Sequence, residues 1–242
     1  MSRGQLPLSA ELTRPAPFGA VEEQSYLAGY RQIAGLDEAG RGPLAGPVVA
    51  AAVVLPRRFS HPGINDSKLL TAKQREQMAL VLKASAVSWG LGVVDVEAID
   101  RLNILKASLL AMAKAIESIR PRPDYLLIDG NQVIPVEFFV PVAGSLGLPP
   151  AQKTIVKGDR NCLSIAAASI LAKVARDEIM VALDKTYPEY GFASHKGYGS
   201  AAHVAAISRF GPSPIHRKSF KPVRDAGWFS SERGPCITNE AK

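Results

Sequence analysis

A chain of 242 residues, 47% hydrophobic and 21% charged, can bury a full core in one domain, and its composition excludes a disordered or fibrous protein. Its net charge of +7 is compatible with a polyanionic partner without requiring one. Two distant cysteines, Cys162 and Cys236, form no metal-type spacing and no disulfide framework, which fits a reducing cytoplasm; no apolar run is long enough to span a bilayer, and there is neither a signal-peptide core nor an internal repeat.

Residues 1–28 are polar, carry Pro7, Pro15 and Pro17, and read as a flexible leader. The next stretch organises the chain. An apolar strand from Gln32 to Asp37 ends in two adjacent carboxylates, Asp37 and Glu38, and a loop with Gly40, Arg41, Gly42 and Gly46 follows at once. Carboxylates at a strand end suit a hard cation such as Mg²⁺ or Mn²⁺, which prefers oxygen ligands. A glycine-rich turn with an arginine can bring backbone N–H groups and a guanidinium up to a phosphate or sugar. Strict alternation would send Asp37 and Glu38 to opposite faces, so both reach one site only if the chain leaves the strand at Glu38.

A second apolar run, Val48 to Leu55, makes a hairpin with the first strand. After a loop comes the polar group Asn65-Asp66-Ser67-Lys68, which is either turn chemistry or a support, through Lys68, for the acidic centre or a phosphate. Thr71 and Gln74 form a capping-box pattern for a helix running to about Ala84. Ala86 to Val94 reads as a third strand interrupted by Gly90 and Gly92, Val96 to Leu102 as a short helix, and Asn103 opens a longer helix whose apolar stripe is core. Tyr125 to Asp129 repeats the pattern of the first strand, ending in a carboxylate and Gly130. If the two strands are parallel, Asp129 approaches Asp37.

Ile134 to Val142 reads as extended, 143–151 as a surface loop, and Lys153 to Val156 as the last short strand. Asp159 precedes a long small-residue helix from Ser164 to about Asp177, and is either a simple cap or a further acidic member of the site. Asp177 reads as a solvated charge. Tyr198, flanked by glycines and close to His195 and Lys196, is either a packed surface aromatic or a ring that stacks on a sugar or base. A final helix spans Ala201 to Phe210; His203 and His216 read as lone structural histidines, and residues beyond Pro222 as a flexible tail.

Taken together, Asp37-Glu38-Ala-Gly40-Arg41-Gly42-Pro-Leu-Ala-Gly-Pro-Val, Asn65-Asp-Ser-Lys68, Leu126-Leu-Ile-Asp129-Gly-Asn131, Lys157-Gly-Asp159, Ser164 to Lys173 and His195-Lys-Gly-Tyr198 resemble the motifs of type 2 ribonuclease H, in that family's order, over Gln32 to Pro222. The segment from Val133 to Gln152 is longer than is usual there, and neither end of the chain is family-like. The resemblance implies an α/β, RNase H-like fold: a mixed five-stranded sheet flanked by helices, with a helical C-terminal part. It implies a catalytic domain over 29–222, between a leader (1–28) and a tail (223–242).

The resemblance further implies an endoribonuclease that uses two Mg²⁺ or Mn²⁺ ions to cut the RNA strand of RNA–DNA hybrids, and to cut 5′ of single ribonucleotides embedded in duplex DNA, leaving 3′-hydroxyl and 5′-phosphate ends. Asp37, Glu38, Asp129 and Asp159 would be catalytic, the first three as metal ligands. Gly40, Arg41, Gly42, Tyr198, Lys68 and Lys196 would bind substrate. The expected protein is a cytoplasmic monomer with no membrane partner. Two alternatives share the fold. Arg41 and the short leader argue against a type 3 ribonuclease H, which typically has lysine at that position and an extra N-terminal domain. The presence of all four acidic residues argues against a non-catalytic nucleic-acid-binding module.

Overall fold

The structure, a computed structural model, describes residues 19–64, 70–139 and 149–226. Lys68 and its polar neighbours, the central part of the 134–151 segment, and most of both termini lie outside the described residues.

Five strands form one sheet in the order β3-β2-β1-β4-β5. They are β1 (Ile33–Ala39), β2 (Val48–Val54), β3 (Ser88–Val94), β4 (Tyr125–Asp129) and β5 (Ala151–Ile155). β1, β2 and β3 are antiparallel neighbours, whereas β4 runs parallel to β1 and β5 parallel to β4, so the sheet is mixed. β2, Val-Val-Ala-Ala-Ala-Val-Val, is buried along its whole length, as expected of a central strand covered on both faces. Gly90 and Gly92 do not interrupt β3; each lies against backbone carbonyls of the helix packed over it.

That helix, α4 (Ile104–Glu117), covers one face with Ala107, Ala111, Met112 and Ala115 against Ala50 and Ala52. The other face is covered by α6 (Leu163–Thr186), with α2 (Ala72–Ser85) outside it. α2 starts at the Thr71–Gln74 capping box read from the sequence. α6 sits directly on β1 at Gly35, where a Cβ would lie 2.2 Å from the Ser164 carbonyl carbon. No residue but glycine allows that approach.

Three local expectations are corrected. The chain does not leave the strand at Glu38: β1 continues to Ala39 because β2 pairs with it as far as Ala39–Val49. The stretch from Ile134 is not extended throughout. A 3₁₀ turn occupies Val136–Phe138 after Pro135, and the Gln152 side chain takes both backbone groups of Ile134, at 2.8 and 3.0 Å. Within the supposed leader, residues Ala20–Leu27 form a helix, α1. Glu22 on α1 accepts hydrogen bonds from the Ser164 N–H (2.8 Å) and hydroxyl (3.0 Å) at the first turn of α6. The orphan N–H groups of a helix start attract a carboxylate, and here the carboxylate comes from a segment 142 residues away.

The C-terminal part is helical: α7 (Phe192–His195), α8 (Ala201–Phe210) and α9 (Lys221–Arg224) close a third apolar cluster around Leu44, Met180, Phe192 and Ile207. The short helices α3 (Val96–Leu102) and α5 (Gly158–Asn161) complete the architecture.

Candidate active site

Parallel pairing of β1 with β4 stops at Leu36–Ile128, so Asp37 and Asp129 are the first residues beyond the ladder on adjacent strands. Asp37 is buried, and its Oδ1 accepts from the Glu38 N–H at 2.7 Å; the Ser169 hydroxyl on α6 lies near enough to favour the ionised carboxylate. Asp129 is pinned from β5's side: its Oδ1 accepts from the Gly158 N–H at 2.7 Å, at the start of α5. Asp159 is buried beside it. It does not cap α6, since Glu22 fills that position; its charge bears on Asp129 instead.

These carboxylates disfavour one another. Burial pushes Asp37 well above the usual carboxylate range, and the charges of Glu38 and Asp129 push it further. Burial likewise raises Glu38, opposed by Arg41, whose Nη1 lies 3.2 Å from Oε1. Asp129 is raised by burial, against the pull of the Gly158 N–H. The sequence grouping of Asp37, Glu38 and Asp129 is thus a grouping in space, with Asp159 adjoining.

Among the described residues, no three Asp, Glu, His or Cys side chains are gathered tightly enough to enclose an ion as they stand, and Glu38 is engaged by Arg41. The donor set nevertheless fits an oxygen-seeking divalent cation. It offers only hard anionic oxygens, it includes a buried carboxylate repelled by two others, and positive charge placed there would offset that repulsion.

Beside the acids lies a cleft of about 420 Å³ lined by Glu38, Gly40, Arg41, Gly42, Arg75, Ser169, Lys173 and Tyr198. Tyr198 is 46% exposed, so its ring is available to a ligand, and a Cβ on Gly42 would meet its Cε1 at 3.6 Å. Lys173 Nζ pairs with Asp177 at 2.7 Å and lies 5.9 Å from the Tyr198 ring centroid. Asp177 is therefore a partner of a cleft lysine as well as a surface charge. Lys196 is not brought into the cleft. Its ammonium turns back to the Ala193 carbonyl, and its side chain lines a separate groove between α2 and α6.

The glycine loop is held from below by two arginines that sequence reasoning missed as site residues. Arg176 on α6 is fully buried and donates to the carbonyls of Ala45 (3.1 Å), Pro47 (3.0 Å) and Lys196 (3.0 Å). Arg217, also fully buried, donates to Gly40 (2.6 Å), Arg41 (3.1 Å), and Gly46 (3.0 and 2.8 Å). Burial, and then the like charge of Arg176, push Arg217 down to about 9, so it stays charged at neutral pH. With the loop carbonyls bound from inside, no acceptor among the described residues takes the Arg41 or Gly42 N–H. One signal for Arg176 was present: Ala168, Ala172, Arg176 and Met180 recur every fourth residue on the buried face of α6.

Residues 34–223 match the protein family described as Ribonuclease HII. The chain is 53% identical over 204 residues to a ribonuclease HII of Geobacter sulfurreducens, covering 84% of this chain and 88% of that one. It is 56% identical over 194 residues to a ribonuclease HII of Chlorobaculum tepidum, covering 78% and 89%. In three dimensions it is similar to the crystal structure of the ribonuclease H2 from Pyrococcus horikoshii, with a TM-score of 0.64 and 28% identity over 81% of this chain and 97% of that one.

Proposed function

The chain belongs to the ribonuclease HII family and is a nuclease acting on RNA in RNA–DNA hybrids, and from that premise we propose that it also cuts 5′ of single ribonucleotides embedded in duplex DNA, leaving 3′-hydroxyl and 5′-phosphate ends. The observation that carries this reading is the adjacency of two features: a group of mutually repelling carboxylates, of which Glu38 lines the cleft, and in that cleft a glycine turn whose Arg41 and Gly42 N–H groups have no acceptor among the described residues, beside an exposed tyrosine.

Asp37, Glu38 and Asp129 would hold Mg²⁺ or Mn²⁺, with Asp159 supporting Asp129. When bound, a pair of such ions neutralises the scissile phosphate and activates the attacking water. The protein's own residues do the rest. The Gly158 and Glu38 N–H groups keep Asp129 and Asp37 oriented before any cation arrives. The 2′-OH is the chemical mark of RNA within a duplex, both donor and acceptor, and the Arg41 and Gly42 backbone can approach it because Gly42 has no side chain in the way. The Tyr198 ring would pack on the following sugar, where a deoxyribose fits and a ribose brings an extra hydroxyl. Arg41, Arg75 and Lys173 would contact phosphates without regard to sequence, giving salt-sensitive affinity.

We further propose that the catalytic unit begins at α1, since Glu22 holds the start of α6, and that the enzyme works as a cytoplasmic monomer.

The test is cleavage of a DNA duplex carrying one ribonucleotide, with end mapping and titration of Mg²⁺ and Mn²⁺. A single cut 5′ of the ribonucleotide that needs the metal is expected. Cleavage of continuous hybrids alone would restrict the proposal to those.

A further inference from the structure

His203 on α8 and His216 are almost wholly buried, and their Nε2 atoms lie 3.0 Å apart. Only one proton fits between them. The outer ends of the pair decide which ring carries it. The Ser213 N–H points at His216 Nδ1 from 2.9 Å. A backbone N–H can only donate, so His216 Nδ1 accepts and its proton sits on Nε2. At the other end His203 Nδ1 lies 2.9 Å from the Tyr198 carbonyl oxygen. A carbonyl can only accept, so His203 carries its proton on Nδ1 and its Nε2 accepts from His216. Both ends demand the same direction: Ser213 to His216 to His203 to Tyr198. Burial lowers both imidazoles, His216 to about 4, so the pair is neutral at neutral pH.

We propose that His203 and His216 are positioning residues for substrate discrimination, a one-directional hydrogen-bond chain that fixes the Tyr198 backbone and so the placement of its ring opposite Gly42. The proposal rests on the reading of Tyr198 as the residue that checks the sugar beyond the ribonucleotide. Packing alone would require apolar rings here, not two imidazoles whose polar atoms are all matched. The neighbour of His216, Arg217, binds the Gly40 and Arg41 carbonyls. One short segment, 213–217, therefore sets both sides of the grip, the glycine turn and the tyrosine.

The experiment compares kcat/KM on a duplex with one embedded ribonucleotide and on a continuous RNA–DNA hybrid, for wild type, Tyr198→Ala, His203→Phe and His203→Asn. Tyr198→Ala should lower the embedded-to-continuous ratio by about tenfold, the scale of losing one stacking ring. His203→Phe should lower the same ratio by a similar factor. His203→Asn, whose amide N–H takes the place of Nδ1–H, should recover most of it. If Tyr198→Ala shifts the ratio and His203→Phe reduces both substrates equally, the positioning role is wrong. If Tyr198→Ala leaves the ratio unchanged, the reading of Tyr198 falls and the proposal with it. Should His203→Phe not fold, ¹⁵N NMR of wild type at pH 7 decides: Nδ1–H on His203 and Nε2–H on His216 are expected, and the reverse tautomers or an imidazolium would overturn the chain.

Discussion

Gly40 and Gly42 stand two residues apart in the same turn, yet alanine should act at the two positions by unrelated mechanisms. Gly40 has φ +100°, and a Cβ there would lie 2.1 Å from Arg176 Nε and 2.9 Å from the Pro47 carbonyl. A left-handed backbone costs a residue with a Cβ about 1–2 kcal/mol. Displacing the buried guanidinium weakens hydrogen bonds from a charged donor, at about 1.5–3 kcal/mol each. Gly40→Ala should therefore cost at least about 3 kcal/mol, a large part of a typical domain's stability. Gly42 has an ordinary backbone, and a Cβ there meets only the Tyr198 ring edge at 3.6 Å, a normal contact. Gly42→Ala should leave stability within about 1 kcal/mol, but its methyl would occupy the space that the proposed function gives to the substrate backbone, so cleavage should fall at least about tenfold on every substrate. Urea unfolding and steady-state cleavage of both variants make the measurement. A stable Gly40→Ala would show that Arg176 does not fix the turn, and a fully active Gly42→Ala would remove the close approach from the account.

Asp37→Asn and Asp129→Asn keep shape while removing charge, and the new amide oxygens can still accept from the Glu38 and Gly158 N–H groups; cleavage should be nearly abolished while hybrid binding without metal is retained or tightened, and near-normal turnover in either would end the role assigned to it. Glu22→Ala should lower stability by about 1–2 kcal/mol through loss of the α6 start, so trimming residues 1–28 should lower the unfolding midpoint, against the sequence reading of this stretch as a flexible leader; an unchanged midpoint would make the Glu22 contact unimportant. Because His216 is depressed from 6.5 to about 4 in the folded state, the unfolded chain binds more protons between those values. The histidine's contribution is therefore complete well above pH 6.5 and is lost as pH falls towards 4, by roughly 2.5 kcal/mol at pH 4.5; His216→Gln should flatten that part of the stability profile, and an equal slope in both proteins would count against a buried neutral pair.

Much of the fold was legible because its signals are local. The capping box at Thr71–Gln74, the apolar runs of β1, β2 and β4, and the stripe of α4 each state their structure within a few residues. The grouping of Asp37 with Asp129 was legible conditionally: two strands that both end in carboxylates bring them together if they are parallel neighbours in register, and the Leu36–Ile128 pairing supplies that condition. What the sequence hid depends on partners far along the chain. Glu22 lies in a polar, proline-marked stretch, and its partner is residue 164. Lys196 follows His195 in a glycine-rich motif that looks exposed, but its left-handed backbone and its bond to Ala193 turn it from the cleft. His203 and His216 read as lone because 13 residues separate them; only the return of the chain after α8 brings their rings together.

The two buried arginines show why charge is hard to read from sequence. A buried cation ordinarily demands a carboxylate, and neither Arg176 nor Arg217 has a salt bridge to one among the described residues. Each is compensated instead by several backbone carbonyls of a turn that has no helix or strand to satisfy them. The exchange works in both directions: the guanidinium forks need acceptors, and a buried glycine-rich turn needs donors. It also leaves two positive charges with no directly paired carboxylate among the described residues, offset only by the more distant charges of Asp177 on Arg176 and Asp100 on Arg217. A carboxylate in their place would satisfy the arginines and cancel the field. Carbonyl dipoles satisfy them and leave more of it, so the turn proposed to approach an anionic backbone rests on positive charge that Asp177 and Asp100 offset only in part, beside the acidic cluster that would repel the same anion.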